Sequence, residues 1–134
     1  MLKRVQKGEK LMPSLNEEAI KKLEQEFVDN AIIHGQCTLN GDYKKGNKAY
    51  DKISKVKKKL YSYGEECYVN SLLRILVHDD AAVKQFASGN LLPFEPEIAR
   101  EVLKELSKLP NLIGFSSEMA LREWDKGKLN PIPK

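Results

Sequence analysis

The chain has 134 residues, of which 41% are hydrophobic and 31% are charged, a balance typical of one soluble folded domain and not of a disordered chain. The net charge of +4 is modest and local, because residues 43–61 hold eight lysines against one acidic residue, Asp51. No apolar run is long enough to cross a bilayer, and the basic segment 1–13 lacks the apolar stretch of a secretory signal, so we expect neither a membrane protein nor a secreted one.

These features predict a simple domain organisation. We expect a flexible basic N-terminus over residues 1–13, a single all-helical domain over 14–129 and a tail over 130–134. Cys37 and Cys67 match neither a metal-binding nor a redox spacing, so we expect two reduced thiols and a cytoplasmic location.

Hydrophobic periodicity predicts helices along the whole chain, since no segment alternates convincingly at period two. The first helix is expected over residues 15–34. Ser14 and Glu17 fit a capping box at its start, and Gly35 is expected to end it, with His34 interacting with the dipole at that end.

The second helix is expected over residues 42–63, with Gly64 after its end. Gly46 weakens it and indicates either close packing or an early fray. Its expected buried stripe consists of Ala49, Ile53, Val56 and Leu60. The far side carries Lys44, Lys48, Lys52, Lys55 and Lys59. A strip at the edge between the two faces carries Tyr43, Tyr50 and Tyr61.

Four more helices complete the pattern. Helix three, over 65–77, is apolar on most sides and is therefore expected to be central. Helix four, over 81–91, is expected to be capped by Asp80 and to bury Val83, Phe86 and Ala87.

Helix five, over 96–109, begins with Pro96 in its first turn and is expected to bury Ile98, Val102, Leu103 and Leu106.

The closing helix lies within NLIGFSSEMALREWDKGKL, residues 111–129. Ser116 or Ser117 is expected to cap it, and Gly127 to end it. Trp124 is expected to anchor this end of the fold in the core. Because the links are short, we expect six helices in three antiparallel pairs, in a layered helical solenoid.

Three short stretches stand out together: GDYKKGN at 41–47, LLPFEP at 91–96, and LIGF at 112–115 with MALREW at 119–124. In this order and spacing, residues 15–129 resemble an uncharacterised bacterial family, number two thousand and nineteen in the catalogue of domains of unknown function.

The resemblance implies an all-α fold similar to HEAT or armadillo repeats, with about six helices in antiparallel pairs that form a right-handed superhelix. It implies no established activity and no cofactor. Some small helical proteins of this kind are encoded beside secreted bacterial toxins and act as immunity proteins. The lysine-rich second helix and the basic N-terminus depart from the family pattern and leave the partner open.

No motif identifies a catalytic or metal site. His34 and His78 lie far apart and form no pattern of metal ligands, and the sequence contains no nucleotide-binding or hydrolase motif. Acidic pairs stand at predicted helix starts, where they favour the helix dipole. We therefore expect a protein that is not an enzyme, with no catalytic residue, no metal and no cofactor.

The best binding candidate is the lysine face of helix two with its bordering tyrosines. In a stack of two-helix repeats, helices two, four and six are expected to line the concave surface. The candidate partner-binding residues are Tyr43, Lys44, Asn47, Lys48, Tyr50, Asp51, Lys55 and Tyr61. Two other interpretations stay open: the lysines form only a solvated face, and the tyrosines bury their rings between helices one and three.

Two functions follow from this face. The first is a non-enzymatic protein-binding module, in its sharpest form an immunity protein that neutralises a bacterial toxin by occluding its active site. The alternative is a helical-repeat protein that binds nucleic acid through lysines and stacked tyrosine rings. The second helix has no arginine, the residue best suited to phosphate and base contacts, which favours the first.

Overall fold

The computed structural model describes residues 11–132, and their side chains from residue 16 onward. This part of the chain forms six helices and no strand: α1 (Leu11–Asn40), α2 (Tyr43–Ser62), α3 (Glu65–Leu76), α4 (Ala81–Leu91), α5 (Pro96–Leu106) and α6 (Leu112–Asp125). The predicted all-helical class and the number of helices are confirmed. Of the segment expected to be a flexible N-terminus, residues 11–13 belong to α1, and 1–10 lie outside the described residues.

Helix α1 is longer than predicted at both ends. It already includes Ser14, and it continues through Gly35 to Asn40. Where α1 meets α4, a Cβ on Gly35 would stand 2.4 Å from the Cβ of Ala82. The glycine is therefore needed for close packing and does not end the helix. The turn comes at Gly41, whose φ of 81° favours glycine.

Helix α2 agrees with its prediction to within one residue at each end. Asp42 caps it, since its side chain accepts a hydrogen bond from the backbone N–H of Lys45 at 3.2 Å. Gly46 is buried and faces Cys37 of α1, so close packing and not fraying explains it. The predicted stripe is confirmed, and the buried residues of α2 are Gly46, Ala49, Ile53, Val56 and Leu60.

Helix α6 starts earlier than predicted because Asn111 caps it. The Asn111 side-chain oxygen accepts hydrogen bonds from the backbone N–H groups of Ile113 and Gly114, at 3.0 and 3.2 Å. Ser117 is buried inside the helix and donates to the Ile113 carbonyl at 2.8 Å, so the predicted serine cap is wrong. Gly127, with φ of 74°, follows the end of α6 as expected.

The middle helices show smaller differences. Asp80 caps α4 as predicted, accepting from the first-turn N–H groups at 2.8 and 3.1 Å. Helix α5 ends at Leu106, three residues early, and its Ile98 side chain is 44% exposed while Ala99 is buried. Helix α3 ends before Val77, which is 78% exposed. Ile98 therefore lies outside the core, contrary to the prediction, and Val77 follows the end of α3.

The core joins all six helices, with Phe27 and Tyr68 among its largest buried side chains. Trp124 is half-buried and packs against this core from α6. Helix α3 contacts α1, α2 and α4, whereas α4 contacts α1, α3, α5 and α6, so α4 is more central than the predicted α3. Helix α1 also contacts α6. Residues of the first, second, fourth and sixth helices line one open region.

Candidate functional site

The lysine face of α2 is an exposed surface opposite the buried stripe. Seven of the eight predicted partner-binding residues are exposed: Tyr43, Lys44, Asn47, Lys48, Tyr50, Asp51 and Lys55. Tyr43 is 79% exposed at the start of the helix. At about 100° per residue, Lys44, Asp51 and Lys55 fall within a narrow sector of the helix, so their side chains share one surface. Asp51 is the one acidic residue on α2.

Tyr61, the eighth predicted residue, belongs to a different environment. It is half-buried, and its ring packs edge-on against Tyr68 with 5.3 Å between the ring centroids. Tyr68 in turn packs edge-on against Phe94 at 5.9 Å. Burial raises the pKa of Tyr68 well above its usual value. Tyr61 is thus part of the packing between α2 and α3 and does not join the exposed face.

An open groove of about 800 Å³ lies beside the lysine face. Residues of α2, α4 and α6 all line it, and so do His34 of α1 and the segment after α6. Its lining residues from α1 and α2 are His34, Tyr50, Ile53, Ser54, Lys57 and Lys58. Those from α4 and α6 are Gln85, Phe86, Gly89, Asn90, Ser116 and Ala120.

Three rings form an aromatic cluster in the groove. The centroids of His34 and Phe86 lie 5.0 Å apart in an edge-on arrangement, and Tyr50 lies 6.0 Å from His34 and 6.3 Å from Phe86. Burial lowers the pKa of His34, so the neutral ring is favoured. His34 is not at a helix end, because α1 continues to Asn40, and the predicted dipole interaction is wrong. Tyr50 connects the groove to the lysine face.

The charges in the groove are all positive. Lys57 and Lys58 line it, and within residues 16–132 no aspartate or glutamate joins them in the lining. Lys57 is half-buried, burial lowers its pKa, and it belongs to none of the four ion pairs within residues 16–132. A cation that is partly removed from water without a counter-ion favours the approach of an anion.

Two amides of α4 shape the floor of the groove. Gln85 donates to the carbonyl of Ile113 at 3.3 Å and so connects α4 to α6. Asn90 is 7% exposed and donates to the Phe86 carbonyl at 2.7 Å, while its side-chain oxygen is buried without a hydrogen-bond partner. The Gln85 bond holds α4 against α6, whereas the Asn90 bond lies within α4.

The segment after α6 forms one rim. Leu129, Asn130, Pro131 and Ile132 line the groove, and all but Asn130 are half-buried. Residues 130–132 of the predicted tail thus lie at this rim, and 133–134 lie outside the described residues. This segment and His34 could not be assigned to the groove from the sequence, because they come together only through tertiary packing. The signal in the sequence was the apolar residues of LNPI, at 129–132, which follow the helix-ending Gly127 and could have indicated that this segment packs against the domain.

A second polar cluster joins α1 to α3. Ser71 is fully buried and donates to the Glu24 carboxylate at 2.6 Å, and Arg74 donates to the same oxygen at 2.7 Å. Its charges compensate each other, so we assign it a structural role. It was not visible in the sequence because its members come from two distant helices.

Metal-ligating residues are dispersed in the described part of the chain. Across residues 16–132, no group of three or more His, Cys, Asp or Glu side chains converges. His78 is exposed and accepts a hydrogen bond from the Asp80 N–H at 3.0 Å, within its own turn. Cys37 is a buried free thiol and Cys67 a half-buried one.

Comparison with known proteins gives no relative. No family model, no curated protein and no solved structure matches the chain. The resemblance described above therefore remains a prediction. Within the described residues, the helices are too short or too polar to span a membrane.

Proposed function

We propose that this protein is a non-enzymatic protein-binding module that binds an acidic surface of its partner through the lysine face of α2. The observation that carries the proposal is the concentration of eight lysines against one acidic residue on a single 20-residue helix. Such a field steers an oppositely charged partner toward the surface and increases the association rate. Tyr43 and Tyr50 add large, exposed rings, which are enriched at protein interfaces.

The same proposal includes a fold of the HEAT or armadillo kind. It is supported by the packing of each helix against the next and by the contribution of α2, α4 and α6 to one groove. The proposed right-handed superhelix would be short and tightly curved, since α1 also contacts α6.

In its sharpest form, the proposed partner is a bacterial toxin whose active site the module occludes in the cytoplasm. The small size of the chain, the resemblance described above and the exposed charged face support this version. A toxin that acts on nucleic acid or nucleotides would itself have a cationic active site, which would repel the lysine face. The lysine face would therefore bind an acidic patch of the toxin beside that active site.

Co-expression with the products of adjacent genes tests the proposal. We expect one of them to co-purify as a stable complex at low salt and to bind more weakly as the salt concentration increases, because screening weakens exposed charge pairs. A complex that is insensitive to salt, or no complex with any neighbouring product, would contradict the proposal.

The alternative function, nucleic-acid binding, has one specific observation in its favour. Tyr43 is 79% exposed beside Lys44 and Asn47, so a base could stack on its ring while lysines contact phosphates. The absence of arginine from α2 weighs against it. Retention of single-stranded RNA or DNA at low ionic strength, lost steeply with added salt, would support the alternative, and no retention would eliminate it.

A further inference from the structure

We propose that the groove between α2, α4 and α6 is a separate binding site for an amphiphilic anion, a carboxylate or related acid carried on an aromatic or aliphatic body. This site goes beyond the proposed function, because an acidic surface could bind the exposed lysines without entering the groove. The proposal depends on the charge, the walls and the size of the groove together.

The charge of the groove favours an anion. Among the described residues, the charged ones in its lining are Lys57 and Lys58, and no aspartate or glutamate accompanies them. Lys57 is half-buried and has no ion-pair partner among the described residues. A bound anion would replace part of the hydration that this ammonium group loses on folding.

The walls of the groove favour an apolar body beside the anion. The apolar and aromatic residues in its lining are His34, Tyr50, Ile53, Phe86, Ala120, Leu129, Pro131 and Ile132. Phosphate or sulfate alone would leave these surfaces exposed to water. Ligand sites in proteins commonly combine a largely apolar lining with a few polar groups that fix the orientation.

The size of the groove fits a small molecule or a few side chains of a partner protein. Its volume of about 800 Å³ lies within the range of roughly 300–1,000 Å³ that is usual for ligand sites. The ligand chemistry has two possible sources. One is a free organic acid, and the other is an acidic residue next to an apolar residue on a partner protein.

A fluorescence titration with anilinonaphthalene sulfonate, an aromatic anion, tests the site in the full chain. We expect saturable binding of one probe per chain, with displacement by octanoate or by the capped peptide acetyl-Glu-Phe-Leu-Glu-amide. Displacement by octanoate supports the site with a free acid as its ligand, and displacement by the peptide supports the site with a partner segment. Displacement by neither overturns the proposal.

Charge variants assign the binding to the groove. We expect Lys57→Met to weaken the binding of the anionic probe by about tenfold, because it removes the half-buried charge and keeps an unbranched side chain of similar length. Lys57→Arg should keep most of the affinity, and Lys52→Met, on the exposed side of α2, should leave it unchanged. Phenylnaphthylamine, the neutral analogue of the probe, should bind both lysine-to-methionine variants equally.

The result that would overturn the proposal is equal binding of the anionic probe to the wild type and to Lys57→Met, with circular dichroism showing that both are folded. The absence of saturable binding to the wild type would do the same. Reversing exposed lysines such as Lys44 and Lys48 tests the proposed function and should leave probe binding intact. The two proposals can therefore fail independently.

Discussion

At the residue scale, Gly35 lies where α1 packs closely against α4. A Cβ at this position would stand 2.4 Å from the Cβ of Ala82. We expect Gly35→Ala to lower the free energy of unfolding by about 1–3 kcal/mol, because the two helices must separate or distort. Urea titration followed by circular dichroism measures this change.

Gly89 provides the matched control, since it also lies inside a helix but a Cβ there would meet no atom within 4 Å. Gly89→Ala should leave stability unchanged or raise it by up to about 1 kcal/mol, the helix propensity difference. Similar losses for both variants would show that the packing of α1 on α4 is not what requires Gly35.

His34 makes the stability of the folded protein decrease as the pH falls. Burial beside Phe86 lowers its pKa, so the unfolded chain, with a histidine pKa near 6.5, takes up the proton first as the pH falls. The contribution of His34 to stability is therefore complete above that value and is lost as the pH falls toward the folded-state pKa. We expect the wild type to lose more stability between about pH 7 and pH 5 than His34→Gln does.

Urea titrations at the two pH values measure this difference. Gln36→Ala is the control, because Gln36 is an exposed residue of the same helix that does not titrate, and it should keep the pH dependence of the wild type. A His34→Gln variant with an unchanged pH dependence would contradict the assignment.

At the scale of the element, the start of α6 depends on one side chain. Asn111 satisfies two first-turn N–H groups, whereas Ser116 is exposed within the helix. We expect Asn111→Ala to cost about 1 kcal/mol of stability, the usual value of an N-cap. Ser116→Ala should change stability by less than about 0.5 kcal/mol.

Thermal unfolding of the two variants distinguishes the observed cap from the predicted one. A larger loss of stability for Ser116→Ala than for Asn111→Ala would instead support a helix that begins at the serines.

The sequence predicted some helix ends correctly and others wrongly, for a physical reason. Asp42 and Asp80 cap their helices through local hydrogen bonds, which neighbouring residues alone determine. Gly35 was misleading, because it lies inside α1 at a point where α4 comes close. Gly114 likewise lies inside α6, where a Cβ would meet the Leu109 carbonyl oxygen. A glycine that ends a helix and a glycine that permits packing look alike in a sequence.

At the scale of the whole molecule, the lysine face could be predicted and the groove only in part. Helical periodicity placed Lys44, Lys48 and Lys55 on the exposed side of α2, where the structure has them. Periodicity did not single out Lys57, and only the tertiary packing shows that it is half-buried in a groove whose described lining contains no aspartate or glutamate. His34 and residues 129–132 join the groove from distant parts of the chain, and their proximity depends on packing that a sequence pattern does not encode.

The proposed function requires the lysine face of α2 to bind an acidic partner. The most direct measurement is the dissociation constant of the complex with the co-purifying partner, compared between two triple variants of equal charge change. One reverses the face with Lys44→Glu, Lys48→Glu and Lys55→Glu, and the other reverses exposed lysines elsewhere with Lys22→Glu, Lys104→Glu and Lys126→Glu.

We expect the first triple variant to weaken binding by at least about a hundredfold and the second by less than about fivefold, because contacts and not net charge alone determine the affinity. Equal effects of the two variants, or an unchanged dissociation constant for the first, would contradict the claim.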